Sequence, residues 1–97
     1  MSNRLANKIT IITGATSGIG EATARRFIEE GATVVLAGRS EEKGEALAKE
    51  LGERAVFKRT DIMSEDDIAA LVDFTVEKFG RLDCLFNNAG AGDRTTV

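Results

Sequence analysis

A glycine-rich stretch, TGATSGIG at positions 13–20, follows an apolar run and opens a helical pattern. Its glycines are Gly14, Gly18 and Gly20, and they remove side chains and permit positive φ where a strand passes into a helix. A helix N-terminus offers free backbone N–H groups and the positive end of the helix dipole, which together bind phosphate. The stretch therefore predicts a phosphate-binding turn, although a tight strand–helix turn without a ligand could carry the same residues.

The glycine spacing is G-x-x-x-G-x-G, which differs from the general dinucleotide pattern G-x-G-x-x-G because Thr23 occupies the third small position. Two further polar stretches come later in the chain. TDI at 60–62 puts Asp61 after a third apolar run, and NNAG at 87–90 follows a fourth. Taken alone, Asp61 could be a turn residue before a helix, and NNAG could be a loop of residues that tolerate left-handed backbone.

Short apolar runs alternate with helical patterns in the order β-α-β-α-β-α-β. Helices are expected from Gly18 to about Glu30, from an N-cap at Ser40 to Leu51, and from Ser64 to a stop at Gly80. Strands are expected at 8–13, 33–38, 54–60 and 82–86. This alternation predicts an α/β fold with a parallel sheet and right-handed crossovers, formed by a single domain over residues 1–97.

The third helix has two specific features. Ser64 and Asp67 have the spacing of a capping box in its acidic form. Helical spacing also predicts one apolar face, which would consist of Ile68, Leu71, Val72, Val76 and Phe79.

The composition excludes several kinds of site. The chain of 97 residues has no His, Tyr or Trp and one cysteine, so it offers no Ser-His-Asp triad, no zinc-binding cluster and no phenol for proton transfer. Cys84 lies inside an apolar run and is expected to behave as a small hydrophobic residue. A net charge of −3 argues against nucleic-acid binding, and no apolar run is long enough for a membrane span or a secretory signal. A cytoplasmic location is expected.

The chain resembles the N-terminal half of the short-chain dehydrogenase/reductase family over residues Lys8 to Gly90. TGATSGIG matches the family's T-G-x-x-x-G-x-G turn, TDI its acidic position after the third strand, and NNAG its hallmark after the fourth. The motifs occur in family order and at family spacing. The resemblance implies a Rossmann-like doubly wound parallel sheet with strand order 3-2-1-4. It also implies a nicotinamide dinucleotide cofactor.

The resemblance also implies residue roles. Around the phosphates and ribose it places the backbone of Gly14, Ser17, Ile19 and Gly20 and the side chains of Thr16 and Ser17. It implies that Asp61 accepts a hydrogen bond from the adenine amino group and that Ile62 lines the same pocket. The residues expected to flank the ribose from the fourth strand are Asn88, Ala89 and Gly90, while Asn87 is expected to brace the sheet.

The end of the second strand bears on the choice of cofactor. Gly38 stands where family members that prefer NAD carry Asp, and Arg39 follows it. A guanidinium matches the 2′-phosphate of NADP with a rigid donor fork, and Ser40 could add a hydroxyl donor. NADP(H) is therefore the expected cofactor, with NAD(H) possible because Ser17 stands where many NADP-preferring members carry a basic residue. Arg39 could also be a solvated residue before a helix.

The activity implied by the resemblance is hydride transfer between the nicotinamide and a small carbonyl or alcohol substrate. In the family a Ser and a Tyr-x-x-x-Lys pair transfer the proton, and they are expected after NNAG and beyond Val97, so these 97 residues alone are not expected to be catalytic. The alternatives are a non-catalytic nucleotide-binding or regulatory module and a structural fragment with the same fold. The resemblance implies a homo-oligomer. The fourth strand would be an exposed apolar edge that could pair with another chain.

Overall fold

Four parallel strands form one sheet in the order β3-β2-β1-β4, which confirms the expected topology. The protein is described by a computed structural model that covers residues 5–88. The helices are α1 (Gly18–Glu29), α2 (Glu41–Leu51) and α3 (Glu65–Phe79). The strands are β1 (Ile9–Thr13), β2 (Thr33–Gly38), β3 (Ala55–Arg59) and β4 (Cys84–Asn87).

The sheet is covered on both faces, which explains why its central strands are apolar without alternation. Ile12 and Leu36 belong to one buried cluster, which includes Ala24 of α1 and Leu47 of α2. Their neighbours Ile11 and Val35 belong to a second cluster with Leu71 of α3 and half-buried Phe74 and Phe79. Each fully buried aliphatic side chain of this kind stabilises the fold by about 1.5–3 kcal/mol. The helices are therefore held against the sheet chiefly by apolar packing.

Each helix begins at a serine whose hydroxyl accepts a backbone N–H three residues later. These residues are Ser17, Ser40 and Ser64, and the bonds are 3.2, 3.3 and 3.1 Å long. Such N-caps satisfy one of the donors that a helix leaves free in its first turn. The parallel topology then brings the starts of α1 and α2 to the same edge of the sheet as the ends of β1 and β2.

The predicted apolar face of α3 is partly wrong. Leu71 is buried as expected, but Val76 is 42% exposed, and Thr75 is fully buried in its place. The hydroxyl of Thr75 donates to the carbonyl oxygen of Leu71 at 2.9 Å, so burial leaves no unpaired polar group. Phe74 also packs towards the sheet. The inward face is therefore rotated towards positions that the apolar pattern alone does not mark.

Strand β4 begins two residues later than predicted, at Cys84, and its residues are exposed. Before it, the backbone N–H of Asp83 donates to the carbonyl oxygen of Ile9, and the carboxylate of Asp83 accepts the N–H of Ile9. Cys84, which was expected to behave as a small hydrophobic residue inside an apolar run, is exposed in β4, and no strand within residues 5–88 pairs with the outer edge of β4. None of the helices in this described part of the chain is long and apolar enough to span a membrane.

Candidate functional site

The turn after β1 has the backbone geometry that its glycines suggest. Gly14 adopts a left-handed φ of 64°, and its carbonyl oxygen accepts the N–H of Ser17 at 3.1 Å. A β-carbon on Gly20 would lie 2.1 Å from that same carbonyl oxygen, whereas one on Gly18 would meet no atom within 4 Å. Gly20 is thus required by contacts inside the chain, and Gly18 leaves open space in front of the turn.

The first turn of α1 presents backbone donors to that open space. The N–H of Gly20 is used by the hydroxyl of Ser17, but the N–H groups of Gly18 and Ile19 have no partner among residues 5–88. Ile19 itself is 62% exposed. Unpaired N–H groups at the positive end of a helix dipole, with no side chain in front of Gly18, form a site suited to an anion.

The end of β4 is tied to this turn by Asn88, which is buried. Its side-chain amide donates to the hydroxyl of Ser17 at 2.9 Å and to the carbonyl oxygen of Gly14 at 3.3 Å. Its backbone N–H donates to the hydroxyl of Thr13 at 3.0 Å, and that hydroxyl donates to the side-chain oxygen of Asn87 at 2.8 Å. The ends of β1 and β4 and the glycine turn therefore form one hydrogen-bonded unit.

Ser17 is more occupied than its predicted role suggests. Its hydroxyl donates to the carbonyl oxygen of Gly14 at 2.9 Å and accepts N–H groups from Gly20 and Asn88. One donor and two acceptor positions are all that a hydroxyl has. In this structure Ser17 therefore caps α1 and anchors Asn88. The other two predicted residues of NNAG, Ala89 and Gly90, lie outside the described residues.

A cavity of about 460 Å³ opens where β1, β2 and β3 end. It brings together five of the predicted residues outside the three glycines, namely Thr16, Arg39, Ser40, Asp61 and Ile62. Gly14 and Gly38 also line it. Thr60 and Met63 complete the lining, and neither is among the predicted site residues. A more open groove of about 680 Å³ lies beside β3 and the end of α2 and shares none of these residues.

The part of the cavity formed by the end of β2 is small and positively charged. A β-carbon on Gly38 would meet only the hydroxyl oxygen of Thr16, at 3.9 Å. Arg39 is exposed and has no ion-pair partner within residues 5–88. Ser40 accepts the N–H of Lys43 and keeps its own hydroxyl proton for another acceptor. The arrangement can receive a group of negative charge beside Gly38.

The opposite part of the cavity is formed by the loop between β3 and α3. The N–H of Met63 donates to Oδ1 of Asp61 at 2.9 Å, and Oδ2 of Asp61 has no partner among the described residues. Thr60 is buried, and its N–H donates to the carbonyl oxygen of Gly38 at 2.8 Å, which joins the loop to β2. Asp61 therefore offers a single carboxylate oxygen as an acceptor, while Met63 is 86% exposed at the rim.

The ionisable groups with perturbed pKa values lie away from this cavity. The backbone N–H of Ile9, and then Arg81, hold the pKa of Asp83 below its usual value. The hydrogen bonds that Arg25 donates to the carboxylates of Glu21 and Glu50 raise the pKa of Arg25. No group of His, Cys, Asp and Glu side chains within residues 5–88 is arranged to hold a metal ion. Within residues 5–88 the cavity thus combines a guanidinium, hydroxyl groups and a carboxylate oxygen, which can form hydrogen bonds with an anionic ligand.

The chain is similar to known proteins along most of its length. A family model described as short chain dehydrogenase matches residues 8–97. The chain is 53% identical over 87 residues to tropinone reductase-like 1 of Erythroxylum coca, covering 90% of this chain and 32% of that protein. It is 49% identical over 88 residues to L-fucose dehydrogenase of Oryctolagus cuniculus, covering 91% of this chain and 31% of that protein.

A solved structure is similar as well. The crystal structure of 3-ketoacyl-(acyl-carrier-protein) reductase from Brucella melitensis complexed with NADH superposes with a TM-score of 0.81 at 42% identity. The match covers 84% of this chain and 33% of that one. The chain thus spans about a third of the length of the proteins it matches. The matched model, the identities and the shared sheet topology show that the chain belongs to the short-chain dehydrogenase family.

Proposed function

We propose that this chain is the cofactor-binding part of an NADP(H)-dependent oxidoreductase, which transfers hydride between the nicotinamide and a carbonyl or alcohol substrate. The observation that carries the proposal is the cavity beside the glycine turn, which is lined by Arg39 at one strand end and Asp61 at the next. A dinucleotide has a phosphate, a ribose and an adenine to place, and the cavity has groups of matching chemistry for each. The NADH bound in the similar reductase structure supports the same class of cofactor.

In this proposal the chain's own residues bind and orient. The N–H groups of Gly18 and Ile19 receive the pyrophosphate in the open space before α1. Asn88 keeps the turn rigid through Ser17, so the donors need no rearrangement when the ligand arrives. Ile62 packs against the adenine, and the carboxylate of Asp61 accepts a hydrogen bond from the adenine amino group. When bound, the nicotinamide supplies or accepts the hydride.

The proposed preference for NADP(H) over NAD(H) rests on the residues at the end of β2. Gly38 would leave space beside the adenosine ribose, and Arg39 would provide there a guanidinium that has no ion-pair partner within residues 5–88. A guanidinium donates two parallel hydrogen bonds to a phosphate, and such charge-assisted bonds are about twice as strong as neutral ones. The 2′-phosphate is the only feature that distinguishes the two cofactors, so Arg39 is the residue proposed to select between them.

The test is calorimetric titration of NADP and NAD into the chain and into Arg39→Ala. NADP should bind the unaltered chain more tightly than NAD does. The substitution should lower the affinity for NADP by about tenfold or more while changing the affinity for NAD little. Lys49→Ala is the matched control, since it removes one positive charge from the last turn of α2, far from the cavity. Equal affinities of the unaltered chain for NADP and NAD would show that the assignment of NADP is wrong.

A further inference from the structure

Asp67, in the first turn of α3, holds the backbone of Asp61. Its Oδ2 accepts the N–H of Asp61 at 2.8 Å. In a capping box this carboxylate would instead return to the N–H of Ser64, the N-cap residue. Here the N–H of Ser64 donates to the carbonyl oxygen of Asp61 at 2.9 Å, and only the bond from the N–H of Asp67 to the Ser64 hydroxyl is retained. The predicted capping box is thus half correct, and its acid reaches the loop that lines the cavity.

The loop is fixed at three points around Asp61. The backbone N–H of Asp61 donates to the carboxylate of Asp67. The carbonyl oxygen of Asp61 accepts the N–H of Ser64, and its side-chain Oδ1 accepts the N–H of Met63. Oδ2 of Asp61 is left without a partner among residues 5–88 and is available to a ligand in the cavity that Asp61 lines. Asp61 lies in the loop and Asp67 in the first turn of α3, and their carboxylates accept from different backbone donors, the N–H of Met63 and the N–H of Asp61.

We infer that Asp67 is a positioning residue for recognition of the cofactor's adenine amino group. The inference rests on the proposed function, in which the carboxylate of Asp61 accepts a hydrogen bond from that amino group. Asp67 does not line the cavity and need not touch the cofactor. By fixing the backbone of Asp61 it reduces the freedom that the acceptor oxygen would lose on binding, which is how preorganisation improves affinity and selectivity.

A positioned carboxylate has a measurable consequence that helix stability does not share. Adenine carries an amino donor at C6, whereas hypoxanthine carries a carbonyl acceptor there. A carboxylate oxygen held in place accepts from the amino group and repels the carbonyl oxygen. A carboxylate that is free to turn away avoids the repulsion, so it discriminates less. The ratio of the two dissociation constants therefore reports on how firmly Asp61 is held.

The experiment titrates NADP and nicotinamide hypoxanthine dinucleotide phosphate into the chain of 97 residues and its variants. The unaltered chain should prefer NADP by about tenfold, the value of one hydrogen bond to a charged group. Asp67→Ala and Asp67→Ser, which cannot reach the N–H of Asp61, should reduce the preference to about threefold or less. Asp67→Asn keeps an acceptor oxygen and should retain most of the preference. Asp66→Ala removes an acid from the same first turn and should leave the ratio unchanged.

Asp61→Ala separates this inference from the proposed function. If Asp61→Ala abolishes the preference while Asp67→Ala and Asp67→Ser keep it, Asp67 does not position Asp61 and the inference is wrong, although the adenine site stands. If Asp61→Ala leaves the preference intact, or the unaltered chain binds neither dinucleotide, the adenine site itself is wrong and the inference falls with it. Circular dichroism verifies that each variant is folded. If Asp67→Ala does not fold, the ratio measured for Asp67→Ser decides the outcome.

Discussion

A β-carbon added to Gly20 would lie 2.1 Å from the carbonyl oxygen of Gly14, far closer than a β-carbon and a carbonyl oxygen can approach without displacing the backbone. The third glycine of the motif therefore lets the first turn of α1 rest on the backbone of the turn that precedes it. Gly18, two residues earlier, has no such neighbour within 4 Å. The two glycines thus have different reasons to be small, and substitutions can separate them.

Gly20→Ala should destabilise the fold. The new methyl group meets backbone atoms of Gly14 and Ala15, which cannot move aside as a flexible side chain would. Overpacking of this kind costs about 1–3 kcal/mol, more than the gain in helix propensity of about 1 kcal/mol. Urea denaturation of both proteins measures the difference. A free energy of unfolding equal to or above that of the unaltered chain would contradict the contact.

Gly18→Ala should have the opposite pattern, with an intact fold and weaker cofactor binding. The methyl group has open space around it, and alanine favours helix by about 1 kcal/mol, so the free energy of unfolding should stay equal or rise slightly. The same methyl group would stand in front of the N–H groups proposed to receive the pyrophosphate. Calorimetry should show a loss of affinity for NADP and NAD alike, because both share the pyrophosphate. Unchanged affinity for both would place the pyrophosphate elsewhere.

Much of this architecture could be predicted from the sequence, because its signals are local. The alternation of apolar runs and helical patterns gave the elements, and the serine caps and glycine stops set most helix boundaries to within a residue. The rotated face of α3 could not be predicted from the apolar pattern, because Thr75 is polar. Its burial depends on the hydrogen bond that its hydroxyl donates to the carbonyl oxygen of Leu71. Gly44 is similar: it lies inside α2 because a β-carbon there would meet the ring of Phe57 on β3 at 2.1 Å. Such reasons depend on tertiary contacts.

The candidate site shows the same division. The residues at the strand ends could be predicted, because the carboxyl ends of parallel strands meet at one edge of the sheet. Their motifs also resembled those of a known family. The supporting bonds could not be predicted. Spacing gave Ser64 and Asp67 as a capping pair, but only the fold shows that Asp67 bonds to Asp61. Nothing in the sequence marks the contact of Asn88 with Ser17 across 71 positions.

Asn88→Ala should loosen the glycine turn. It removes the donor to Ser17 and to the carbonyl oxygen of Gly14, so a loss of about 1–3 kcal/mol in the free energy of unfolding is expected. Asn87→Ala is the matched control, since Asn87 is exposed and, within residues 5–88, its side chain accepts only the hydroxyl of Thr13. Asn87→Ala should lower the free energy of unfolding by less than Asn88→Ala does. Urea denaturation compares the two, and an equal or larger loss for Asn87→Ala would show that the link through Asn88 is unimportant.

Asp83 should make the stability of the chain fall in acid. Its pKa is held below the usual value of 3.8, first by the N–H of Ile9 and then by Arg81. A carboxyl whose pKa is lower in the folded state stabilises the fold fully above its unfolded pKa. That contribution is lost as the pH falls through the lowered folded pKa. Asp83→Asn should therefore reduce stability at neutral pH and flatten the dependence below about pH 4.

Measurement of the urea midpoint between pH 2 and pH 7 tests this prediction. Asp73→Asn is the control, because Asp73 is exposed on α3 and makes no ion pair within residues 5–88. It should leave the acid dependence as it is in the unaltered chain. If Asp83→Asn and the unaltered chain lose stability in parallel on acidification, the bond from Ile9 to Asp83 does not govern this part of the profile.

The chain of 97 residues should associate through β4. Within residues 5–88 no strand covers its outer edge, and Leu85 and Phe86 are 52% and 36% exposed on opposite faces. An apolar strand with unpaired backbone groups is a template for pairing with another chain. Sedimentation velocity should show self-association at high micromolar concentration, and Leu85→Lys should reduce it. Met63→Lys is the control, since it places the same charge at a more exposed apolar residue outside any strand. A stable monomer, or an equal effect of both substitutions, would rule out β4 as the contact.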